Sequence, residues 1–351
     1  PNRPDALGVR GIARDLAARG LGRMKPQDDP VVEGSADPGI AVTIDDDALN
    51  AKLIKSEKAF DGKLPELADC TYQLMLEDSA SGAVLGTSAV KAQVGVKKPF
   101  FDFKVFTFSQ ASSEADRRFD MDAMMLVNDF AGATEVGSLF VRDGLRGTGA
   151  GSLIAKARYM LVAAGRERFG ERILSELRGV VDEGGDSIFF EHVTRPFFQM
   201  TFDEADRLSA ATDNQFILDL MPRHLIYIDL LPKPVRDVIG KTHPHGVNAL
   251  RMLEAEGLRY ERYIDIFDGG PLVSCPMDEV ATIRDSRRVE LEAGEPGEGA
   301  GRVLVSNDRK QDFRCVYALT HAAGDALRLN DEARRALDVT GGDTVRIWTK
   351  D

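Results

Sequence analysis

No stretch of this sequence comes near the ~20 consecutive apolar residues that a membrane-spanning helix needs, and the first thirty residues lack the apolar core of a secretion signal. A cytoplasmic protein is expected. Cysteine is scarce: Cys70, Cys275 and Cys315 are odd in number, widely separated and without a C-x-x-C pair, which argues against a disulfide framework or a zinc site. No metal is expected. Positive charge is also in deficit, with 45 Lys and Arg against 57 Asp and Glu and a net charge of −12. Nucleic acid and anionic membranes are bound by basic surfaces that displace counterions, so neither is expected as a partner. No internal period is visible, which removes solenoids and propellers.

What is present is an ordinary globular composition, 43% hydrophobic and 29% charged over 351 residues, enough for one large domain or two modest ones. Gly8 to Gly20 reads as a helix and Met24 to Ile40 as a Pro/Gly/Asp-rich loop. From Asp45, a candidate N-cap, apolar Leu49, Leu53, Ile54 and Phe60 recur at helical spacing. TYQLMLE and AVLGTSAV, separated by DSASG, read as a β-hairpin. A strand is expected at Val136 to Val141, then a glycine-rich turn, then a helix whose Leu153, Ile154, Ala157, Leu161 and Val162 share a face. Ile173 to Val180 reads as another strand, and a helix ending at Gly257 is followed by a strand from Leu258 to Phe267. Glu290 to Gly301, rich in Gly, Glu and Pro, reads as a linker. The short runs VLVS, FRCVYAL, ALRL and TVRIW around NDEARRALDV then predict a small β-rich appendage.

The sharpest local signal is SLFVRDGLRGTGAGSLI. Arg146, Gly149 and Gly151 satisfy R-x-x-G-x-G/A between a strand and a helix, the pattern of CoA-binding acyltransferases. Glycines let backbone N–H groups approach a pyrophosphate, and the helix N-terminus adds unsatisfied donors and a favourable dipole. Arg146 can add a charge-assisted contact. Gly147, Gly149, Ala150, Gly151 and Ser152 are therefore the candidate donor-binding residues, with Leu139, Phe140 and Val141 of the preceding strand beside the thioester. Glycines at such a turn also serve purely structural ends. The run is neither G-x-x-x-x-G-K-S/T nor G-x-G-x-x-G, which sets it apart from the common nucleotide loops.

With these residues in view, the blocks SLFVRDGLRGTGAGSL, ELRGVVDEGGDS, FFEHVTRPFFQMTFDEAD, LMPRHLIYIDLLP, VIGKTH, LEAEGLRYERYIDIFDGGP and NDRKQDFR resemble, in order, those of the arginine N-succinyltransferase family, also called arginine/ornithine succinyltransferase. The resemblance runs from about Asp45 into the C-terminal appendage. It implies an α/β, GNAT-like fold, a mixed twisted sheet flanked by helices. It also implies succinyl-CoA as co-substrate, with no tightly bound cofactor, and transfer of succinyl to the α-amine of arginine in arginine degradation. The acid/base histidine of the family falls on His243, and a succinyl-CoA contact on Leu139. From the residues alone, His243 lies in a polar turn, where a histidine is more often merely solvated, and His245 is a rival that spacing does not exclude. Paired, related subunits in the family imply a homo-oligomer or a hetero-oligomer with a related subunit. Two departures stand out: the N-terminus carries an insertion in place of a short first strand, and Thr194 and Pro196 replace a Gly-Arg/Lys pair. Ornithine or another basic amine, or a non-catalytic CoA-binding subunit, are the alternatives.

Arginine recognition asks for carboxylates opposite the guanidinium and cations opposite the carboxylates. Glu176, Arg178, Asp182 and Glu183 cluster at the end of the strand expected to flank the cleft. The expected organisation is an irregular segment with a helix over 1–44, a GNAT-like acyltransferase domain over 45–289, a linker over 290–301 and a β-rich domain over 302–351.

Overall fold

The computed structural model describes residues 46–349, apart from 146, 183, 323 and 325. The helix expected over Gly8 to Gly20, the loop after it and the Asp45 cap lie outside the described residues. In chain order the elements are α1 (Asp46–Phe60), β1 (Thr71–Glu77), β2 (Val84–Lys91), β3 (Asp102–Ser112), β4 (Arg117–Val127), β5 (Thr134–Val141), α2 (Ala150–Ala164) and β6 (Arg172–Glu176). After a π-helical turn at Phe190–Thr194 come α3 (Phe202–Ala211), α4 (Gln215–Leu220), β7 (Ile226–Tyr227), α5 (Val247–Ala255), β8 (Arg259–Asp265), β9 (Pro271–Pro276) and α6 (Ala281–Asp285). The chain ends in β10 (Arg287–Glu292), β11 (Gly301–Ser306), β12 (Cys315–Thr320), β13 (Ala326–Arg328), α7 (Asp331–Leu337) and β14 (Thr344–Trp348).

Nine strands form one mixed sheet in the order β1-β2-β5-β6-β9-β8-β3-β4-β7. Every neighbouring pair is antiparallel except β5 and β6. The β1–β2 hairpin forms where DSASG predicts it, because Asp78 Oδ1 accepts from the amides of Ala80 and Ser81 and so folds the turn on its own side chain. Gly257, at φ +104, ends α5 as expected. The long β3–β4 hairpin has no counterpart in the sequence reading. The turn-proximal half of β3 is exposed on both faces, so apolar alternation fades there.

Two expected boundaries move. The strand expected to run to Val180 stops at Glu176, where β9 begins. Beyond it, Gly179 threads against the β8–β9 turn so closely that a Cβ would meet the carbonyl oxygen of Asp268 at 2.3 Å. The linker expected from Glu290 begins later. Glu290, Leu291 and Glu292 pair with β13, and Glu290 also pairs with Thr344 of β14. Val289 and Leu291 alternate into the core of the second sheet while the glutamates face outward, so a composition resembling a linker belongs to a strand. The connection is 293–300, and the second sheet has the order β12-β11-β14-β10-β13.

The main core packs α1, α2 and α5 on β1, β2, β5, β6 and β9, with Tyr72, Tyr159, Leu161 and Ile173 fully buried. Ile154, Ala157, Leu161 and Val162 of α2 point into it as their spacing predicts, and Leu153 is half-buried. Phe189, Phe190, Phe198 and Phe267 lead a second core under β3, β4 and β8. Helix α2 is held on one side by β1, β2 and β5 and on the other by β11 and β12. It is the common wall of the two sheets.

Candidate active site

The parallel neighbours β5 and β6 pair only at Thr134↔Ile173 and Glu135↔Leu174. Beyond that point β5 bulges: its register with β2 shifts between Thr87 and Ala89, and Ser138 takes φ +52, rare for a residue with a Cβ. The hydroxyl of Ser175 donates to the carbonyl of Val136 at 2.8 Å, closing the throat where the strands part. From residue 136 onward β5 has no ladder partner in β6. Leu139 and Val141 pack their side chains into the main core, so these residues offer backbone to the gap; Phe140 is half-buried and takes no part in that packing.

The gap leads to the glycine turn. Thr148 closes it through its amide and hydroxyl, both donating to the carbonyl of Leu145. Gly147 and Gly149 take φ +82 and +92, and Gly149 is the N-cap of α2 with no side-chain cap. The first regular helical bond is Leu153 N–H to the Gly149 carbonyl at 3.0 Å. The amides of Gly151 and Ser152 find no acceptor among the described residues, which leaves an uncapped, positively polarised helix end. Arg146 lies outside the described residues.

At the other end of the gap, the chain from Gly240 to Gly246 folds onto the end of β6. The His243 amide donates to the carbonyl of Arg178 at 2.8 Å, the Thr242 hydroxyl to the same oxygen at 3.3 Å, and Gly179 and Thr242 form a single bridge. His243, Arg178 and Glu176 are thus neighbours. The His245 amide donates to His243 Nδ1 at 3.2 Å, and the two rings meet edge to face at 4.9 Å. With Nδ1 accepting, the neutral ring carries its hydrogen on Nε2.

Five buried carboxyl groups interact across this region: Asp102, Glu135, Glu176, Asp265 and Asp268. Burial pushes Glu176 up to about 8 and Asp268 to about 7, with the negative charge of Asp265 adding to both. Asp102 is held well above the usual carboxylate range by burial and by Glu176, and neither of its oxygens has a partner among the described residues. Glu135 is the exception. Burial opposes its ionisation, but Lys91 Nζ at 2.5 Å outweighs it and lowers the pKa. Burial first, and the neighbouring carboxyl charges after it, favour the protonated forms of Asp102, Glu176, Asp265 and Asp268.

The family described as arginine N-succinyltransferase beta subunit matches residues 33–282, and its C-terminal domain matches 286–349. Proteins named arginine N-succinyltransferase from Escherichia coli (strain 55989 / EAEC) and Shigella flexneri are each 39% identical over 300 residues, covering 85% of this chain and 87% of theirs. The solved arginine/ornithine succinyltransferase subunit AI from Pseudomonas aeruginosa superposes with a TM-score of 0.76 at 32% identity, covering 86% of this chain and 88% of that one. The chain belongs to the arginine N-succinyltransferase beta subunit family.

Within this succinyltransferase chain the candidate residues separate into groups. Glu176, Arg178 and His243 come together. Asp182 is exposed, and its carboxylate takes the Asp186 amide at 2.9 Å in a local turn. Glu183 lies outside the described residues. Thr194, buried in the π-helical turn, donates to the carbonyl of Ile266 at 2.5 Å and so holds that turn to the end of β8. The thiols are unsuited to nucleophilic work: burial pushes Cys275 up to about 12 and Cys315 higher still, and Cys70 is closed inside the main core at 1% exposure.

Two groups escaped the sequence reading. Asp102, Glu135 and the Asp265–Asp268 pair sit on three separate segments, and no spacing announces their meeting. Arg302 of β11 lies against the glycine turn, with Nη2 only 2.9 Å from where a Cβ on Gly149 would stand. An arginine beside a glycine in what reads as an appendage gives no signal until the two sheets are placed around α2.

Proposed function

We propose that this chain transfers succinyl from succinyl-CoA to the α-amine of L-arginine by direct attack, as its family and relatives' names suggest. The arrangement that carries this reading is an uncapped helix end after β5, a β5 that pairs with β6 over two rungs only, and buried carboxyl groups, Glu176 among them, on the strands around that parting, with the His243 loop on the carbonyl of Arg178. Pyrophosphate oxygens would take the amides of Gly151 and Ser152. The pantetheine would run along β5 as an added strand, its amide groups meeting the free backbone. That course brings the thioester carbonyl to the Leu139 to Val141 backbone, whose N–H groups would hold the developing oxyanion.

The acceptor guanidinium would be drawn to the carboxyl nest, and Arg178 supplies a cation for a substrate carboxylate. The α-ammonium must lose a proton before its nitrogen attacks. The N–C bond then forms, the attacking nitrogen loses a second proton, the C–S bond breaks and the thiolate takes up one proton, so that one proton is released overall. His243 is the proposed shuttle. To accept at Nδ1 its ring must release the 3.2 Å contact from His245, a long and therefore weak bond. Ornithine or another basic amine would use the same carboxyl groups.

In this reading the first sheet and its helices form a GNAT-like, cytoplasmic transferase unit, the residues from 287 form an appended unit, and the enzyme assembles with itself or with a related subunit. The test is thiol release from succinyl-CoA by the purified chain, with and without arginine. Acceleration by arginine is expected; release no faster than the arginine-free blank overturns the proposal. Replacing arginine by ornithine in the same assay decides the acceptor.

A further inference from the structure

A cavity of about 610 Å³ lies between α2, α5 and the second sheet, on the side of α2 remote from the first sheet's core. It opens beside the glycine turn, because Ser152 and Arg302 line it and Arg302 rests against Gly149. Its chemistry differs from that of the rest of this acidic protein. Lys156, Arg158, Arg251 and Arg302 line it, and Glu256 is the one acidic residue in the wall. Glu256 is already engaged by Lys156 and by the amide and hydroxyl of Thr282. Three guanidinium groups remain, and none makes an ion pair within the described residues.

Arg158 is the telling member. It is 3% exposed, and its Nε donates to the carbonyl of Ala155 at 3.1 Å, but its two terminal nitrogens have no hydrogen-bond or ion-pair partner among the described residues. Burial lowers its pKa, and the one carboxylate that acts on it, Glu256, is already engaged by Lys156 and Thr282, so an anion in the cavity would be favoured. Arg302 is held flat on Tyr317, 3.9 Å from the ring centre, which leaves its N–H fork directed by a rigid stack and not by a flexible stem. Arg251 stands at the rim on α5, exposed. The space therefore offers a buried cation, a stacked cation and a rim cation, together with aromatic walls from Tyr317 and Trp348. That set fits a nucleoside carrying more than one phosphate.

We infer that this cavity holds the adenosine 3′-phosphate end of the acyl donor, so that the second sheet, and not the glycine turn alone, selects a 3′-phosphorylated CoA. The inference rests on the donor reading given above. A nucleotide whose 5′-pyrophosphate lies on the glycine turn has its ribose at Ser152 and Arg302, and the cavity is the adjoining enclosed volume of matching charge. The 3′-phosphate then supplies Arg158 with a direct counter-charge, where Glu256 acts without a hydrogen bond and is shared with Lys156 and Thr282, and Arg251 closes over it.

The test is calorimetric binding of CoA, 3′-dephospho-CoA and adenosine 3′,5′-bisphosphate to the full chain, followed by the same titrations on Arg251→Gln, Arg302→Gln and Arg158→Gln. CoA should bind at least about tenfold more tightly than its dephospho form, the usual scale for a hydrogen bond to a charged group. The bisphosphate should compete with CoA. Arg251→Gln, a rim change with no partner to lose, should keep the fold by circular dichroism and bring the CoA to dephospho-CoA ratio towards one. Equal binding of the two forms by the wild type overturns the inference, as does an unchanged ratio in both Arg251→Gln and Arg302→Gln. Bisphosphate binding that leaves CoA affinity untouched also overturns it, and would mark a separate effector site. Binding is read without turnover, so a chain that discriminates the 3′-phosphate but transfers no succinyl would refute the proposed reaction and leave this assignment standing.

Discussion

Gly149 and Arg302 touch across the boundary between the two sheets: the glycine that opens α2 leaves room for a guanidinium delivered by β11, and a single added methyl would fall 2.9 Å from Arg302 Nη2. Gly149→Ala must therefore bear two strains, the φ of +92 and the displaced arginine. Stability should drop by about 1–2 kcal/mol from the backbone alone. In the succinyl-transfer assay the KM for succinyl-CoA should rise while kcat changes little, since the reacting end of the donor is far from the turn. A KM equal to that of the wild type would separate the turn from donor binding.

His243 and His245 are distinguishable by substitution. His243→Ala should lower kcat by ~10²–10⁴-fold, the range for a positioned acid/base group. His245→Ala keeps its amide, the group that contacts His243, and should cost less than about tenfold. Steady-state rates at saturating substrates check both; the reverse order would transfer the role to His245.

The buried carboxyl groups set a pH dependence of unusual sign. Glu176, at about 8, and Asp268, at about 7, bind protons more tightly folded than unfolded. Their contribution to stability is complete below the unfolded carboxyl range near ~4 and is lost as pH rises through 7 to 8. Urea unfolding should thus show the apo protein weakening from about pH 5 to pH 8, and Glu176→Gln should flatten the trend. A cationic acceptor reverses the balance by favouring the ionised forms. Its binding near pH 7 should release protons, measurable by calorimetry in buffers of different ionisation enthalpy.

Lys156 is clamped between the Glu256 carboxylate and the Trp348 ring, 3.9 Å from the ring centre, so it ties α2 to the end of α5 and to β14 of the second sheet. Lys156→Met would fill most of the space but leave Glu256, 4% exposed at its side chain, with only Thr282 for company. A loss of about 3–5 kcal/mol is expected, as for other buried pairs that lose one partner. The double variant Lys156→Met, Glu256→Gln should recover much of that loss. Thermal unfolding of the three proteins measures it.

What the sequence made legible follows the range of the forces involved. The β1–β2 hairpin, the strand-turn-helix around Gly149 and the helix ending at Gly257 are encoded by neighbours in the chain, and they form where their turn residues and periodicity place them. The family resemblance added His243, and the fold brings it to Arg178 and Glu176 through backbone bonds that no local pattern records. The early end of β6, the strand character of Glu290 to Glu292 and the gathering of Asp102, Glu135, Asp265 and Asp268 all depend on partners distant in sequence. Composition misled at β10 because a strand with one solvated face carries the same glutamates as a linker.

The two-rung contact between β5 and β6 also has a kinetic meaning. Amides in a continuous ladder exchange with solvent only when the sheet opens, whereas those along a vacant edge exchange without any unfolding. The amides of Leu139 to Val141 that point away from β2 should therefore behave as a built-in reporter, fast in the apo protein and slowed when a donor lies alongside, while those that β2 holds stay protected.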